Sequence, residues 1–365
     1  MACDELAVWL RLLLTPGVGN ESARKLLAAF GLPETIFTQS TSALRTVVSD
    51  RLAVALQERP DGLDAEVAKV VHWCSAVDHH VLTLGDPDYP PMLLQMADPP
   101  LMLYVVGQLA ALGLPNKIAI VGSRNPTPQG QINARQFAAA LGGSGLCVVS
   151  GLALGVDGAA HEGALEAGAC TIAVVGTGLD RVYPKRHHEL AHRIAEQGAI
   201  VSEYPLGTPP LPAHFPQRNR IIAGLCQGTL VVEAAVASGS LITARLATEM
   251  GREVFAIPGS IHAPQSRGCH SLIRQGAKLV ESAQDVLEDL QLAIAAPTRV
   301  EGITERATDS GALIEAMGFD PVSLDALQAR TGLDTATLQS RLLELELQGD
   351  VSRLPGGLLQ RIGQS

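Results

Sequence analysis

The chain has 365 residues, of which 47% are hydrophobic and 18% charged, a length that asks for two or three domains and a composition that excludes a disordered or fibrous polymer. No N-terminal stretch has the basic start, apolar middle and small-residue cleavage site of a signal peptide, and no apolar run reaches the roughly 20 residues of a membrane span, so a cytoplasmic protein without a membrane span is expected. The formal charge of −10 is uneven: residues 1–116 carry 7 basic and 13 acidic groups, residues 281–365 carry 6 and 14, and residues 117–280 carry 14 and 10, which leaves the middle able to meet a polyanion.

Residues 1–80 show helical periodicity in "LAVWLRLLL", "SARKLLAAFG", "ALRTVVSDRLAVALQ" and "DAEVAKVVHWCSAV", a small helical module. Within it "TPGVGNESARKLL" sets two glycines in a turn before a helix, the outline of a helix-hairpin-helix (SAM-like) unit, and equally of a plain turn between packed helices. Residues 81–112 mix apolar runs with proline clusters and read as an entry segment to the next domain. From Lys117 the runs "KIAIVG", "LCVVSG", "TIAVVG", "AIVSEY", "GTLVVEA", "EVFAIPG" and "AKLVES" alternate with helical runs such as "QGQINARQFAAALG" and "GSLITARLATEMG". Continuous β-branched strands separated by helices predict a doubly wound, Rossmann-like parallel sheet in an α/β domain over 81–290. Residues 291–308 read as a linker. Residues 309–365 predict three helices and a short hairpin, a winged-helix module, whose third helix carries Asp334, Glu344 and Glu346 against Arg341. That acidity favours a protein partner over DNA for this module. The six cysteines are scattered with no CxxC pair and read as reduced, structural thiols.

Ligands of a doubly wound sheet gather where strand ends lead into helix N-termini, and that rule orders the candidate residues. Ser123 and Arg124 follow the first strand, where a small residue lets a phosphate approach and a guanidinium offers it a planar fork. "SGLALGVDGAAHEGAL" follows the second, with Gly151, Gly155, Asp157 and His161. Its spacing matches neither the GxGxxG of a dinucleotide site nor the GxxxxGK[ST] of a P-loop, and Asp157 with His161 lacks a third ligand, so no cofactor and no metal are expected. Asp157 and His161 either touch a ligand or lock the turn, with locking favoured. "GTGLDRVYPKRHHEL" after the third strand is the densest basic run and contains Lys185. "HFPQRNR" after the fourth sets Phe215 beside Arg218, Asn219 and Arg220, an aromatic ring among cations that suits single-stranded nucleic acid, unless the ring is core and the arginines are ion-paired. After the fifth strand, Ser240 and Thr243 either cap a helix or receive a phosphate.

The motifs "VGSR", "SGLALGVDGAAH", "TIAVVGTGLDRVYP", "FPQRNRIIAGL", "VVEAAVASGSLITA" and "GREVFAIPG", in this order across roughly residues 80–285, resemble the DNA-processing protein A family, DprA or Smf. The resemblance implies a dimeric, non-enzymatic mediator that binds and protects incoming single-stranded DNA in natural transformation and helps load the RecA recombinase onto it, with single-strand-binding protein a further candidate partner. It implies that Arg124, Phe215, Arg218, Asn219 and Arg220 line a DNA pocket floored by Gly151, Gly155, Asp157 and His161. The alternative is an enzyme: "GTLVVEA" resembles the site of nucleotide phosphoribohydrolases on a related sheet, with Glu233 as acid or base.

Overall fold

The computed structural model describes residues 3–292, 310–318, 321–354 and 356–362. Six helices open the chain: α1 (Cys3–Leu14), α2 (Asn20–Phe30), α3 (Pro33–Phe37), α4 (Thr41–Leu44), α5 (Asp50–Gln57) and α6 (Leu63–Cys74). The run 43–57, read above as one helix, is two. Ser49 breaks it, because its Oγ accepts the Leu52 N–H and caps α5, and a Ser that bonds the next turn's backbone starts a helix more readily than it continues one. The glycine turn joins α1 to α2 through Gly17 at φ 87°, with Gly19 as the α2 cap residue.

The middle of the chain builds one nine-stranded sheet. Its strands are β1 (His79–Thr83), β2 (Met102–Gly107), β3 (Lys117–Val121), β4 (Cys147–Ser150), β5 (Thr171–Val174), β6 (Ala199–Ser202), β7 (Gly228–Val231), β8 (Glu253–Ala256) and β9 (Lys278–Leu279), in the spatial order β1-β2-β6-β5-β4-β3-β7-β8-β9. β3 to β9 run parallel, as their continuous apolar runs require. β1 and β2 are antiparallel to their neighbours. The segment read as an entry passage therefore supplies β2 and most of the edge strand β1 of the main sheet, and its prolines sit in the connection between them.

The connecting helices are α7 (Ala110–Gly113), α8 (Pro128–Gly143), α9 (Val156–Glu166), α10 (His188–Gln197), α11 (His214–Leu225), α12 (Ser240–Glu249), α13 (Arg267–Arg274) and α14 (Ala283–Asp289). Alternate residues of the strands feed opposite faces. Ile118, Ile120, Val148 and Leu230 pack under Phe137 and Leu141 of α8 and Val156 and Ala160 of α9. Ala119, Val121, Val149 and Val174 pack against Ile221 and Leu225 of α11 and Ala244 and Ala247 of α12. After β3 the strands march one way to β6, then return to β7 on its other side, so a topological switch point lies between β3 and β7.

The linker expected over 291–308 lies, from residue 293 on, outside the described residues. Beyond it, α15 (Ser310–Met317), α16 (Leu324–Thr331), α17 (Thr335–Gln348) and the hairpin β10 (Val351–Arg353) and β11 (Leu359–Arg361) form the winged helix. Leu313, Leu327, Leu338, Leu342, Leu345 and Leu359 fill its own core. Asp334 is the N-cap of α17, accepting from the Ala336 and Thr337 N–H groups, and Glu346 pairs with Arg353 at 3.0 Å. Part of this module's acidity is thus capping and local pairing. Among the described residues no helix is long and apolar enough to cross a membrane.

Candidate nucleic-acid interface

The loops at the carboxyl ends of β3, β5 and β6 meet over one patch. Arg124, exposed in the β3–α8 loop, places its guanidinium carbon 5.5 Å from the ring centroid of Phe215 in the first turn of α11. Tyr183, 46% exposed in the β5–α10 loop, lies with its ring 5.7 Å from the same Phe215 at 39°. Lys185, two residues further along that loop, is exposed. Tyr204, just beyond β6, stacks on His214 at 4.1 Å and 21°. Cations and half-exposed rings at one strand-end surface are a combination that can follow a phosphate backbone and stack bases.

The other motif residues hold this surface from beneath. Arg218 is 4% exposed; its Nη1 donates to the Gly151 carbonyl at 2.5 Å and to the Val174 carbonyl. Burial pulls the guanidinium down to about 10, against the opposing pull of Asp157. Asp157 Oδ2 accepts from the Gly151 and Ala153 N–H groups at 3.1 and 3.3 Å, burial raising its carboxyl while Arg218 and these amides pull the other way. The carbonyl of Leu152 accepts from His187 Nδ1 at 2.9 Å. The loop 151–153 is therefore gripped on both sides, which holds Leu152 at φ 58°, a left-handed conformation that costs a non-glycine residue about 1–2 kcal/mol.

Gly151 and Gly155 are points of close approach within the chain. A Cβ on Gly151 would stand 2.1 Å from the Arg218 guanidinium, and one on Gly155, at φ 82°, would stand 2.4 Å from the Ser123 carbonyl. The small residues admit protein atoms. Of the arginines read as either open beside Phe215 or ion-paired, Arg218 is buried, and Arg220 donates to the Asp98 carbonyl at 2.7 Å and pairs with Glu203, both side chains of that pair only 13% exposed.

The remaining candidates are placed as follows. Ser123 Oγ accepts the Asn125 N–H at 3.1 Å, and the Ser123 carbonyl accepts from Val156 at the start of α9. Asn219 Nδ2 donates to the Gly239 carbonyl at 3.3 Å, tying α11 to the loop before α12. Ser240 and Thr243 are 7% and 1% exposed, and Ser240 Oγ is 2.7 Å from Ser238 Oγ, so both sit inside the α12 start. His161, wholly buried, donates from Nδ1 to Thr171 Oγ1 at 2.7 Å, which itself donates to the Val148 carbonyl. Burial drives its pKa down to about 3, and the ring is neutral.

Glu233, at the end of β7, has both oxygens committed. Oε2 accepts the Thr127 N–H at 2.9 Å and Oε1 the Thr127 hydroxyl at 2.5 Å, while Thr127 caps α8. At the switch point, where an open α/β sheet offers a helix N-terminus to a ligand phosphate, this protein seats its own carboxylate. A nucleotide-cleaving acid or base would need that carboxylate turned towards a substrate.

Tyr183, Tyr204 and His214 were not singled out from the sequence. The signal was there: only 3% of residues are aromatic, and Tyr183 stands inside the densest basic run.

A model of the DNA recombination-mediator protein A family matches residues 80–291, and one of the DprA winged helix domain matches residues 296–357. The chain belongs to the DprA family. Protein Smf of Escherichia coli K12 is 43% identical over 296 residues, covering 79% of both chains, and Protein Smf of Synechocystis is 35% identical across 99% of this chain and 100% of its own. The X-ray structure of DprA from Streptococcus pneumoniae matches with a TM-score of 0.69 at 39% identity, over 79% of this chain and 98% of its own. A DprA structure from Helicobacter pylori, described for its single-stranded DNA binding mode, matches with a TM-score of 0.53 at 34% identity, over 58% of this chain and 96% of its own. The DprA match spans the whole parallel sheet and both exposed loops of the patch.

Proposed function

We propose that this DprA-family protein binds single-stranded DNA across the carboxyl ends of β3, β5 and β6. Arg124 and Lys185 meet phosphates, and Phe215 and Tyr183 stack bases. Arg218, Asp157, Gly151, Gly155, Ser123, Asn219, Arg220, Ser240 and Thr243 act by fixing the loops that carry those groups. The observation that carries the reading is the Arg124–Phe215–Tyr183 cluster, exposed in the one stretch of an acidic chain with a basic excess. The relative from Helicobacter pylori, described for a single-stranded DNA binding mode, supports it.

The test is the affinity of the full chain for fluorescent oligo-dT over a range of salt. Counterion release from a single strand gives log K a slope of about −0.7 per phosphate neutralised. Arg124→Ala and Lys185→Ala each make the slope shallower by about 0.7, whereas Phe215→Ala weakens binding by about 1–3 kcal/mol at an unchanged slope. Binding that ignores salt, or that survives all three substitutions, overturns the proposal. Protection of incoming strands in natural transformation, loading of RecA past single-strand-binding protein and action as a cytoplasmic homodimer complete the proposal on the strength of family membership. Strand exchange on a single strand precoated with single-strand-binding protein, with and without this chain, tests the loading step.

A further inference from the structure

At the amino-terminal edge of the sheet, away from the patch, two thiols touch. Cys147 begins β4 and Cys170 immediately precedes β5, and the parallel register that pairs Val148 with Thr171 makes them cross-strand neighbours. Their sulfurs are 3.4 Å apart, with Cys147 donating, and the Val148 N–H bonds the Cys170 carbonyl at 3.1 Å, fixing the two backbones. Adjacent strands stand ~4.8 Å apart, inside the ~4.4–6.8 Å Cα window of a disulfide, so strand pairing spaces the two backbones for the bond.

A second observation points to reactivity. Lys117, the first residue of β3, is 2% exposed, and its Nζ donates to the Leu114 carbonyl. Among the described residues no carboxylate pairs with it; the titratable groups that act on it are Cys226, Cys147 and Cys170. A buried ammonium whose neighbours are thiols favours a thiolate.

We propose that Cys147 and Cys170 form a redox-active dithiol, a modification site that a low-molecular-weight disulfide such as oxidised glutathione converts to an intramolecular disulfide. Cys170, half-exposed, attacks first: its thiolate forms a bond to one glutathione sulfur, the glutathione disulfide breaks and one glutathione thiolate leaves with the electron pair. Cys147 gives up its proton to that thiolate and attacks Cys170 Sγ, and the second glutathione leaves. The protein is oxidised by two electrons and the glutathione disulfide is reduced to two thiols. The hydrogen bond from Cys147, with help from Lys117, lowers the Cys170 thiol, which makes it the nucleophile of the pair.

The full chain is incubated with oxidised glutathione, unfolded in urea containing iodoacetamide and mapped by mass spectrometry. The expected product is a peptide pair linked through Cys147 and Cys170, released by dithiothreitol. In Cys170→Ser, Cys147 stays open to alkylation. Lys117→Met slows alkylation of Cys170 in the reduced protein several-fold, because the thiolate loses its neighbouring cation. The proposal is overturned if both thiols remain alkylatable after oxidation, if Cys170 keeps an unresolved glutathione, or if either sulfur is found joined to Cys226.

Discussion

Buried ionisable side chains next to the patch set how this protein responds to acid. His161 keeps a neutral ring down to about pH 3 in the folded chain, whereas an exposed histidine takes its proton near pH 6.5. Below about pH 6.5 the unfolded chain binds a proton that the folded chain refuses, so stability falls as the pH is lowered towards 3, by at most ~1.4 kcal/mol per pH unit. Asp157 and Glu233, both raised by burial, act in the opposite sense: the folded chain holds their protons more tightly, and they lose stability as pH rises through the carboxylate range. Urea unfolding of the wild type and His161→Gln across pH 7 to 4 separates these contributions. The wild type loses stability more steeply than the variant; parallel curves would show that His161 titrates normally.

The joint between β7 and α8 is the clearest case of an element built around one side chain. Glu233 satisfies the amide and hydroxyl of the α8 cap residue, and Gly130 is needed beside it because a Cβ there would lie 2.3 Å from the carboxylate carbon. Glu233→Ala leaves the cap donors without their partner and costs about 1–3 kcal/mol, read as a lower urea midpoint, while oligo-dT affinity at low urea is retained because Arg124 and Phe215 are untouched. A loss of DNA binding without a loss of stability would instead place Glu233 in the interface. The same logic separates the strand-end arginines. In "FPQRNR" four polar side chains follow one aromatic, yet the α11 helix turns Arg218 inward onto two strand-end carbonyls, Arg220 sideways onto Glu203 and Asn219 towards Gly239.

The whole chain divides its charge by position: acidic ends flank a basic middle, and the patch lies in the middle. Removal of residues 307–365 takes away the acidic winged helix, whose core is self-contained, and leaves the parallel sheet intact. The shortened chain is expected to keep the oligo-dT salt slope of the full chain, with its overall affinity unchanged or increased by the loss of negative charge. A slope shallower by about 0.7 or more would mean that the winged helix neutralises phosphate itself.

The sequence by itself determined the parallel strands, the helices between them, the winged helix and the family, because β-branched runs, 3.6-residue periodicity and ordered motifs are local properties of the chain. It also located the loops that form the patch. It did not determine that "VLTLGDPDYPPML" and "PPLMLYVVG" extend the sheet, since the pairing of β2 with β6 and of the edge strand β1 with β2 makes them strands and leaves little local trace. Nor did it tell a solvent-facing arginine from a buried one. Arg124 and Arg218 have the same chemistry and both follow strand ends, and only the packing of α11 against β4 and β5 sends one to solvent and the other onto Gly151 and Val174. The glycines of "SGLALGVDG" were legible as points of close approach, but what approaches them, a guanidinium and a neighbouring loop, comes from parts of the chain far away in sequence. Tertiary structure decided the residue roles because each depends on which distant group arrives first at a strand-end carbonyl or amide.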